Sequence, residues 1–579
     1  MTQATQHHRL GELEAAKALY LKILKSQPGN PDALHLFGLA CHQQGDHWTA
    51  VKYIRQAVEK VPGQPVLRNN LGDALHKAGD LGEAVGQLQQ ALALRPGYAG
   101  AHLNLGVVLA ALGDHDAGLL HSQEAARLDP ERAEAWFNLG MLQLDHVALE
   151  DSIQSLRVAL RIRPTYRAAA CSLLYALNLL PGADPVAVAD EHCRVASGLF
   201  SSVQRVSTWP MPAGKIRIGY VSGDFRAHAV NYFLEPVLEH QDRDRFEIFC
   251  YSDVTRPDNV TERLRGFVRH WREISDLNDE GVTELIRSDQ IDILVDLAGY
   301  TEHCRLGVFA AKPARCQIST IGYPNTTGLG AMDFRVVDSI TAPLDQAPVG
   351  IESLLRLPPG FACFRPPQHA PQVRRAPVSL NGFVTFGCLH KLEKLNAVVV
   401  ETWAQILREN PESRLLVARD QLDAWHQHRL EVAFAKLGIG ADRLELVHLC
   451  DPAQSFFEVF SRIDILLDVF PWSGHTIACC ALWMGVPVLT LRGESHAGRM
   501  VASVLDGLGL NELIGEDVDS YSRIAGDFCR QPDRIAELRA GMRARMQQSP
   551  LRDESGFTRA FEAGCLSAFN DTLASDTSG

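Results

Sequence analysis

Along the first third of the chain, small and apolar residues recur at a single interval. Gly38, Gly72, Gly106 and Gly140 stand 34 residues apart, as do Ala57, Ala91, Ala125 and Ala159, and Pro62, Pro96, Pro130 and Pro164. Glycine followed by aspartate at 45–46, 79–80 and 113–114 marks a turn inside each unit, and the prolines mark its end, so each repeat reads as a pair of helices. Gly11, Ala16 and Pro28 keep the same phase, which makes residues 1–30 the second half of a further repeat and 166–180 a closing helix. From residue 215 the pattern changes to short β-rich runs separated by segments of helix length. The runs are 216–221, 246–251, 291–297, 317–321 and 334–337, then 383–386, 414–418, 444–447, 465–469 and 488–491. Such alternation predicts parallel sheets, here two doubly wound α/β domains in tandem at 215–360 and 383–565. Around them lie a linker with a helix at 181–214, a proline-rich linker at 361–382, and a tail at 566–579 whose ending, Ala-Ser-Asp-Thr-Ser-Gly, reads as disordered.

In period and small-residue positions, residues 33–164 resemble tetratricopeptide repeats. A helix pair exposes an apolar face unless it stacks on a neighbour, so the resemblance makes residues 1–180 a superhelical α-solenoid with a concave groove.

Composition narrows the class. A chain of 579 residues is too long for one core, and its 46% hydrophobic and 22% charged content suits a soluble multidomain protein. No apolar run of about 18 residues is present to span a membrane, and the N-terminus lacks a signal-peptide pattern, so a cytoplasmic location is expected. The net charge of -13, without a basic stripe, speaks against nucleic acid as a partner. Thirteen cysteines with no Cys-x-x-Cys spacing, including the adjacent Cys479 and Cys480, read as reduced, buried thiols instead of a disulfide frame or zinc site.

Candidate chemistry gathers at 464–499. The run 464–470 has strand length, Ser473-Gly474-His475-Thr476 is small and polar, and the run to Met484 has helix length. A strand-turn-helix of this kind presents free N–H groups and the positive end of the helix dipole, a setting for phosphate or diphosphate; Gly474 permits close approach and Thr476 adds a hydroxyl. A second turn, Gly493-Glu-Ser-His496, opens on the same sheet edge. Ser473 and Thr476 acting as plain helix caps would produce the same letters. Asp242-Arg-Asp244 and Asp517-Val-Asp519 have the spacing of a metal motif, but neither follows a strand into a site-facing loop, so no metal is expected.

Two consecutive Rossmann-like domains leave a cleft between them, as in the GT-B architecture. IGYVSGDFRAH (218–228), DLAGYT (296–301), IGYPNTTG (321–328), TFGCLHKLEK (385–394) and SGHT (473–476) occur here in the order and spacing of the O-linked N-acetylglucosamine transferase family, glycosyltransferase family 41, which the chain resembles over nearly its whole length. The resemblance implies an inverting, metal-independent transfer of a sugar from a nucleotide diphosphate to a Ser or Thr hydroxyl of a protein, with UDP-N-acetylglucosamine preferred and no cofactor beyond that donor. Lys394 matches the family's diphosphate-contacting lysine, and Lys391 also approaches phosphate. Tyr323, Pro324, Ser473, Gly474, His475, Thr476, Gly493 and His496 complete the implied donor set. His228 is the implied catalytic partner of Lys394, as general base or as the residue that orients the acceptor. His303 is a weaker candidate.

Asn70, Asn104 and Asn138 stand at one phase of the repeat, with Leu36 in that phase of the preceding one. In the resembling family this line faces the groove and holds an extended peptide backbone, which makes protein or peptide acceptors the implied partners; the alternative is that each amide merely caps or packs between helices. Where the animal enzymes carry a ribose-contacting carboxylate this chain has Cys480, and their upstream basic residues fall near Ala453 and Phe456. The motifs at 321–329 and 493–497 also resemble the SPINDLY branch, so GDP-fucose is the rival donor. Two other classes stay open. One is a binding scaffold with inactive transferase domains, against which Lys394, His228 and 473–476 speak. The other is an enzyme making glycolipid or polysaccharide, against which the lack of a membrane-binding stretch speaks.

Overall fold

A computed structural model of the chain describes the backbone of residues 1–212, 214–368, 370–449 and 452–578, and the side chains of all of these except 452–455 and 575–578. Two compact units make up the chain, 1–163 and 164 onward. Among the described residues no helix is long and apolar enough to cross a membrane.

The first unit is five helix pairs: Thr2–Arg9 with Leu13–Ser26, Pro31–Gln43 with His47–Lys60, Pro65–Ala78 with Leu81–Leu94, Ala99–Ala111 with His115–Leu128, and Ala133–Asp145 with Leu149–Ile162. Each ladder of repeated residues has a physical role. A Cβ on Gly38, Gly72, Gly106 or Gly140 would meet Ile54, Leu88, Ser122 or Leu156 at 2.5 to 2.8 Å, so glycine is what lets the two helices of a pair approach. Ala57, Ala91, Ala125 and Ala159 are wholly buried at the same seam. Gly45, Gly79 and Gly113 take φ of +84° to +89°, and the aspartate after each accepts a backbone N–H from Thr49, Glu83 or Ala117 to start the second helix. The last pair breaks the rule. Val147 stands at the glycine position with φ +58°, and Ala148 offers no cap.

The expected repeat boundary at 180 moves to 163. The helix Arg167–Leu179 belongs to the second unit because its polar groups are spent there: Arg167 donates to the Cys304 carbonyl at 3.0 Å and to Asp279 at 2.7 Å, and Asn178 donates to the Tyr323 hydroxyl at 2.8 Å. The helix Pro185–Leu199, expected within a linker, joins it through His192, whose Nε2 lies 2.8 Å from the same hydroxyl.

Among the described residues the second unit holds two wholly parallel sheets. In the first, β1 (Ile216–Ser222), β2 (Phe246–Ser252), β3 (His270–Glu273), β4 (Ile293–Asp296), β5 (Cys316–Ser319), β6 (Phe334–Val337) and β7 (Ser353–Arg356) run in the order β3-β2-β1-β4-β5-β6-β7. In the second, β8 (Thr385–Cys388), β9 (Arg414–Arg419), β10 (Leu444–His448), β11 (Ile465–Leu467), β12 (Val488–Leu491) and β13 (Ile514–Gly515) run in the order β10-β9-β8-β11-β12-β13. All ten expected strands are present. The three unexpected ones are edge strands: β3 (HWRE) has one apolar residue in four, β7 (SLLR) has two, and β13 (IG) is two residues long, too little for an apolar run to register.

Two further expectations are corrected. The proline-rich stretch at 361–382 begins as core, since Phe361, Ala362, Cys363 and Phe364 are all buried. The tail expected to be disordered continues a helix, Glu554–Ser578, that packs on the helix Asn231–His240 and on β5 and β7 of the first sheet. Its buried Phe557, Phe561, Cys565, Ala568 and Phe569 recur at helical spacing, and that stripe holds it.

Candidate active site

In both sheets the strand order reverses at the centre, between β1 and β4 and between β8 and β11. Ligands of open α/β sheets bind at such switch points, beyond the C-terminal ends of the strands. The chain leaves β1 towards His228, β8 towards Lys391 and Lys394, and β11 towards Ser473–Thr476, so the topology carries these separate motifs to the switch-point loops.

At the β11 turn, Gly474 begins the helix His475–Trp483, and no side chain caps it. Ser473 is not the cap, because its hydroxyl donates to the Ala497 carbonyl at 2.7 Å and its amide to the same oxygen at 3.1 Å. Among the described residues no acceptor takes the amides of His475, Thr476 and Ile477. Thr476 is half-exposed at this opening. The ammonium of Lys394 donates to the Trp472 carbonyl at 3.2 Å and to the Ser473 carbonyl at 3.5 Å, and lies 4.6 Å from the centroid of the Trp472 ring. A mobile cation is thus pinned beside the uncapped start of a helix. Burial lowers its pKa to about 7, opposed by the Asp468 carboxylate and reinforced by Lys391.

Beneath the turn lies a group that the sequence reading missed. Asp468 is fully buried; one oxygen accepts the Gly474 amide at 2.8 Å and the other the Thr490 hydroxyl at 2.7 Å. Burial lifts its carboxyl to about 6 against those bonds and the charge of Lys394. His390 packs beside it, Nε2 3.5 Å from Asp468 Oδ1, and burial with the charges of Lys394 and Arg419 holds the imidazole well below its usual range. The available signal was a carboxylate inside the apolar run 464–470, where an acid survives only if its oxygens are satisfied.

His228 is exposed on the first-domain side. Its Nδ1 lies 3.4 Å from the Val230 nitrogen and 3.6 Å from Asp224 Oδ2. Burial lowers its pKa, Asp224 opposes, and Arg226, Lys391 and His303 reinforce, so the imidazole is neutral near pH 7 and within the electrostatic reach of Lys391. His303 closes over the β1 loop: a Cβ on Gly223 would lie 2.3 Å from it. Tyr175 was also missed, having been read as part of a closing repeat helix. Its ring carries the Lys391 ammonium at 5.4 Å and meets Trp472 at 5.3 Å.

The other expected donor residues divide. Tyr323 and Pro324 are buried, and the Tyr323 hydroxyl is taken by Asn178 and His192, so Tyr323 supports the wall behind Trp472 instead of presenting its hydroxyl to a donor. His475 is buried and stacked on Phe233 at 4.6 Å; burial lowers it to about 4, and its Nε2 has no partner among the described residues. Gly493 packs on Gly498, and His496 meets Arg335, with Phe361 touching the rings of both His475 and His496. Cys480 is buried and its thiol is pushed up to about 12, so it supplies no charged ribose partner. Phe456 joins the core fringe, and the side chain of Ala453 lies outside the described residues. Asp517 caps the helix Val518–Arg530, and Asp242 takes the amides of Asp244 and Arg245.

In the first unit the asparagines are unequal. Asn70 Nδ2 lies 2.8 Å from His35 Nε2, and Asn104 donates to Asn69 Oδ1 at 3.0 Å. Each bond reaches back one repeat. The corresponding neighbour of Asn138 is Leu103, and among the described residues nothing bonds the Asn138 amide.

Residues 198–364 and 373–561 match the model of glycosyl transferase family 41, more than half of the chain. The chain belongs to glycosyl transferase family 41. Residues 1–65, 72–113 and 120–167 match tetratricopeptide repeat models. Among curated proteins, this family 41 chain is 35% identical over 420 residues to the probable UDP-N-acetylglucosamine–peptide N-acetylglucosaminyltransferase SPINDLY of Oryza sativa subsp. japonica, covering 71% of this chain and 45% of that one. It is 27% identical over 401 residues to the Arabidopsis thaliana protein of the same description named SEC, covering 66% and 40%. The chain thus spans less than half the length of these relatives. A solved structure of a Thermobaculum terrenum O-GlcNAc transferase mutant superposes with a TM-score of 0.78 at 33% identity, covering 88% of this chain and 98% of that one.

Proposed function

We propose that this family 41 protein transfers N-acetylglucosamine from UDP-N-acetylglucosamine to Ser or Thr hydroxyls of protein acceptors, with inversion and without a metal. The observation that carries the reading is the Lys394 ammonium held at the Trp472 and Ser473 carbonyls beside the uncapped helix start at His475. Three free amides, the helix dipole and one cation are what a departing diphosphate needs, and no metal is required where such donors suffice. The names of the SPINDLY and SEC relatives and of the structural neighbour support the sugar and the peptide acceptor.

On this reading the residues work as follows. The diphosphate sits on the amides of 475–477 and draws the Lys394 ammonium to it, and Thr476 adds a hydroxyl. Neutral His228 takes the acceptor proton or orients the acceptor, with Asp224 stabilising the imidazolium that forms. The Asn138 amide, unbonded among the described residues, is the groove position best able to hold a peptide backbone, since an amide both donates and accepts. The likeness of 321–329 and 493–497 to the SPINDLY branch keeps GDP-fucose as the rival donor; Cys480 does not choose between the two, since both donors carry the same ribose.

Calorimetric titration of the full chain with UDP, GDP and their sugars, in EDTA, tests the whole reading. UDP binding that survives EDTA and is weakened in Lys394→Ala is expected. GDP binding tighter than UDP binding moves the donor to GDP-fucose, and strict dependence on a divalent ion overturns the metal-free mechanism.

A further inference from the structure

Below the second turn a small cavity opens between the two α/β domains. Arg335 and Arg356 line it from the first domain, Glu494, Ser495, His496 and Arg499 from the second. Arg335 and Arg499 are only 5% and 8% exposed. Three guanidinium groups around one cavity ordinarily carry carboxylate partners. These have neutral ones. Arg335 donates to His496 Nδ1 at 3.1 Å and to the Val349 carbonyl at 2.9 Å; Arg356 donates to the Ala342 carbonyl at 3.1 Å; Arg499 donates to the Gly493 carbonyl at 2.7 Å and the Gln346 side-chain oxygen at 2.9 Å. Among the described residues no carboxylate is in ion-pair contact with any of the three. Glu352, whose charge Arg335 feels, has committed its oxygens to Thr326 at 2.5 Å and to the amide and hydroxyl of Thr327, both at 2.6 Å. Glu494 is exposed at the rim.

The hydrogen bonds also expose an imbalance of donors. Because His496 Nδ1 accepts from Arg335, the ring proton sits on Nε2, and that N–H is buried with no acceptor among the described residues. The Nε–H of Arg335 is in the same position. Two buried donors on cavity-lining residues lack an acceptor, and the helix His496–Gly507 starts there with the positive end of its dipole. The cavity measures about 50 Å³, against the roughly 10–15 Å³ that one water needs, so several oxygen-sized groups fit. Cations, surplus donors and room for a few oxygens describe a receptor for a tetrahedral oxyanion.

We propose that this cavity is a second anion site, distinct from the Lys394 turn, that binds a phosphate-class oxyanion between guanidinium groups of both α/β domains. The proposal goes beyond the transferase reading and does not depend on it. An anion held there ties Arg335 of one domain to Arg499 and His496 of the other, so occupancy stiffens the cleft. The ligand is a free phosphate-class oxyanion and not the diphosphate of the nucleotide donor, and the experiment separates these sources.

The full chain is titrated calorimetrically with inorganic phosphate at constant ionic strength, with and without saturating UDP, and the titration is repeated on Arg499→Gln and Arg335→Gln. The expected result is saturable one-site phosphate binding that persists under UDP and weakens at least tenfold in both variants, with UDP affinity within twofold of the parent. Should Arg335→Gln fail to fold, as judged by its melting curve, Arg499→Gln decides alone. Absence of saturable binding, loss of phosphate binding when UDP saturates, or unchanged phosphate affinity in the folded variants overturns the second site. Failure of UDP to bind the parent would remove UDP-N-acetylglucosamine as the donor in the transferase reading while leaving the phosphate result to stand by itself.

Discussion

Gly474 and His390 are packed so closely that a Cβ on the glycine would lie 2.1 Å from His390 Cε1 and 2.2 Å from Nδ1. The β11 turn therefore descends to the imidazole, and that approach brings the Gly474 amide to Asp468 and the Trp472 carbonyl to Lys394. Gly474→Ala is expected to lift the turn away from Asp468, costing about 1–3 kcal/mol of stability by overpacking. Nucleotide affinity should fall with it. Urea unfolding and UDP calorimetry check both, and a variant with parental affinity would show that the turn does not hold the nucleotide.

Lys394→Ala should lower transfer by about 10² or more, the value of roughly 3 kcal/mol of charge stabilisation. With the free ammonium at about pH 7, a diphosphate that needs it charged must draw in a proton above that pH. UDP affinity is accordingly expected to weaken by up to about tenfold per pH unit above pH 7. Proton uptake measured in buffers of different ionisation enthalpy should vanish in Lys394→Ala; uptake that persists would assign the proton to another group.

His228→Ala is expected to impair transfer to a protein acceptor far more than UDP binding, since His228 leaves from β1 while the phosphate turn leaves from β11. Full transfer activity in that variant removes His228 from the chemistry.

Within the first unit, Asn104→Ala should cost about 1 kcal/mol through its lost bond to Asn69. Asn138→Ala should leave stability within about 0.5 kcal/mol. If the groove holds acceptor backbone, glycosylation of a protein acceptor falls in Asn138→Ala with melting and UDP binding unchanged. Val147→Gly should stabilise the last repeat by about 1 kcal/mol, because a β-branched residue at φ +58° is strained. Denaturant midpoints decide.

Acid should destabilise the protein below pH 6.5. Burial holds His192 and His475 at about 4 and His390 and His496 well below their usual range, so the unfolded chain takes up these protons first. The stability they contribute is present above pH 6.5 and is lost as pH falls towards 4. Asp464 and Asp468, raised to about 6, act oppositely, since their contribution is full below about pH 3.8 and is lost as pH rises through 6. The histidines outweigh the two carboxylates, so stability slopes downward as pH falls from 6.5 towards 4. His192→Gln should flatten this slope; an unchanged slope would locate the protons elsewhere.

The repeat period, the ten expected strands and the Gly-His-Thr turn were legible because each is a local pattern: a seam that admits only small residues, a run of apolar letters, a turn before a helix. Neither Asp468 nor Tyr175 could be assigned to the site in that way. Asp468 stands in an apolar run and Tyr175 in a helix resembling the preceding repeats, and only the packing shows that one lies under the turn and the other beside Lys391. The C-terminal helix misled for the same reason, since its polar ending is visible in the letters while the first-sheet surface that buries its aromatic stripe is supplied by residues more than two hundred positions away. Sequence alone determined the elements and the order of their motifs. Tertiary structure decided which hydroxyls and amides were already spent, as with Tyr323, Ser473 and Asn104, because a hydrogen-bonding group is free or committed only once its neighbours in space are known.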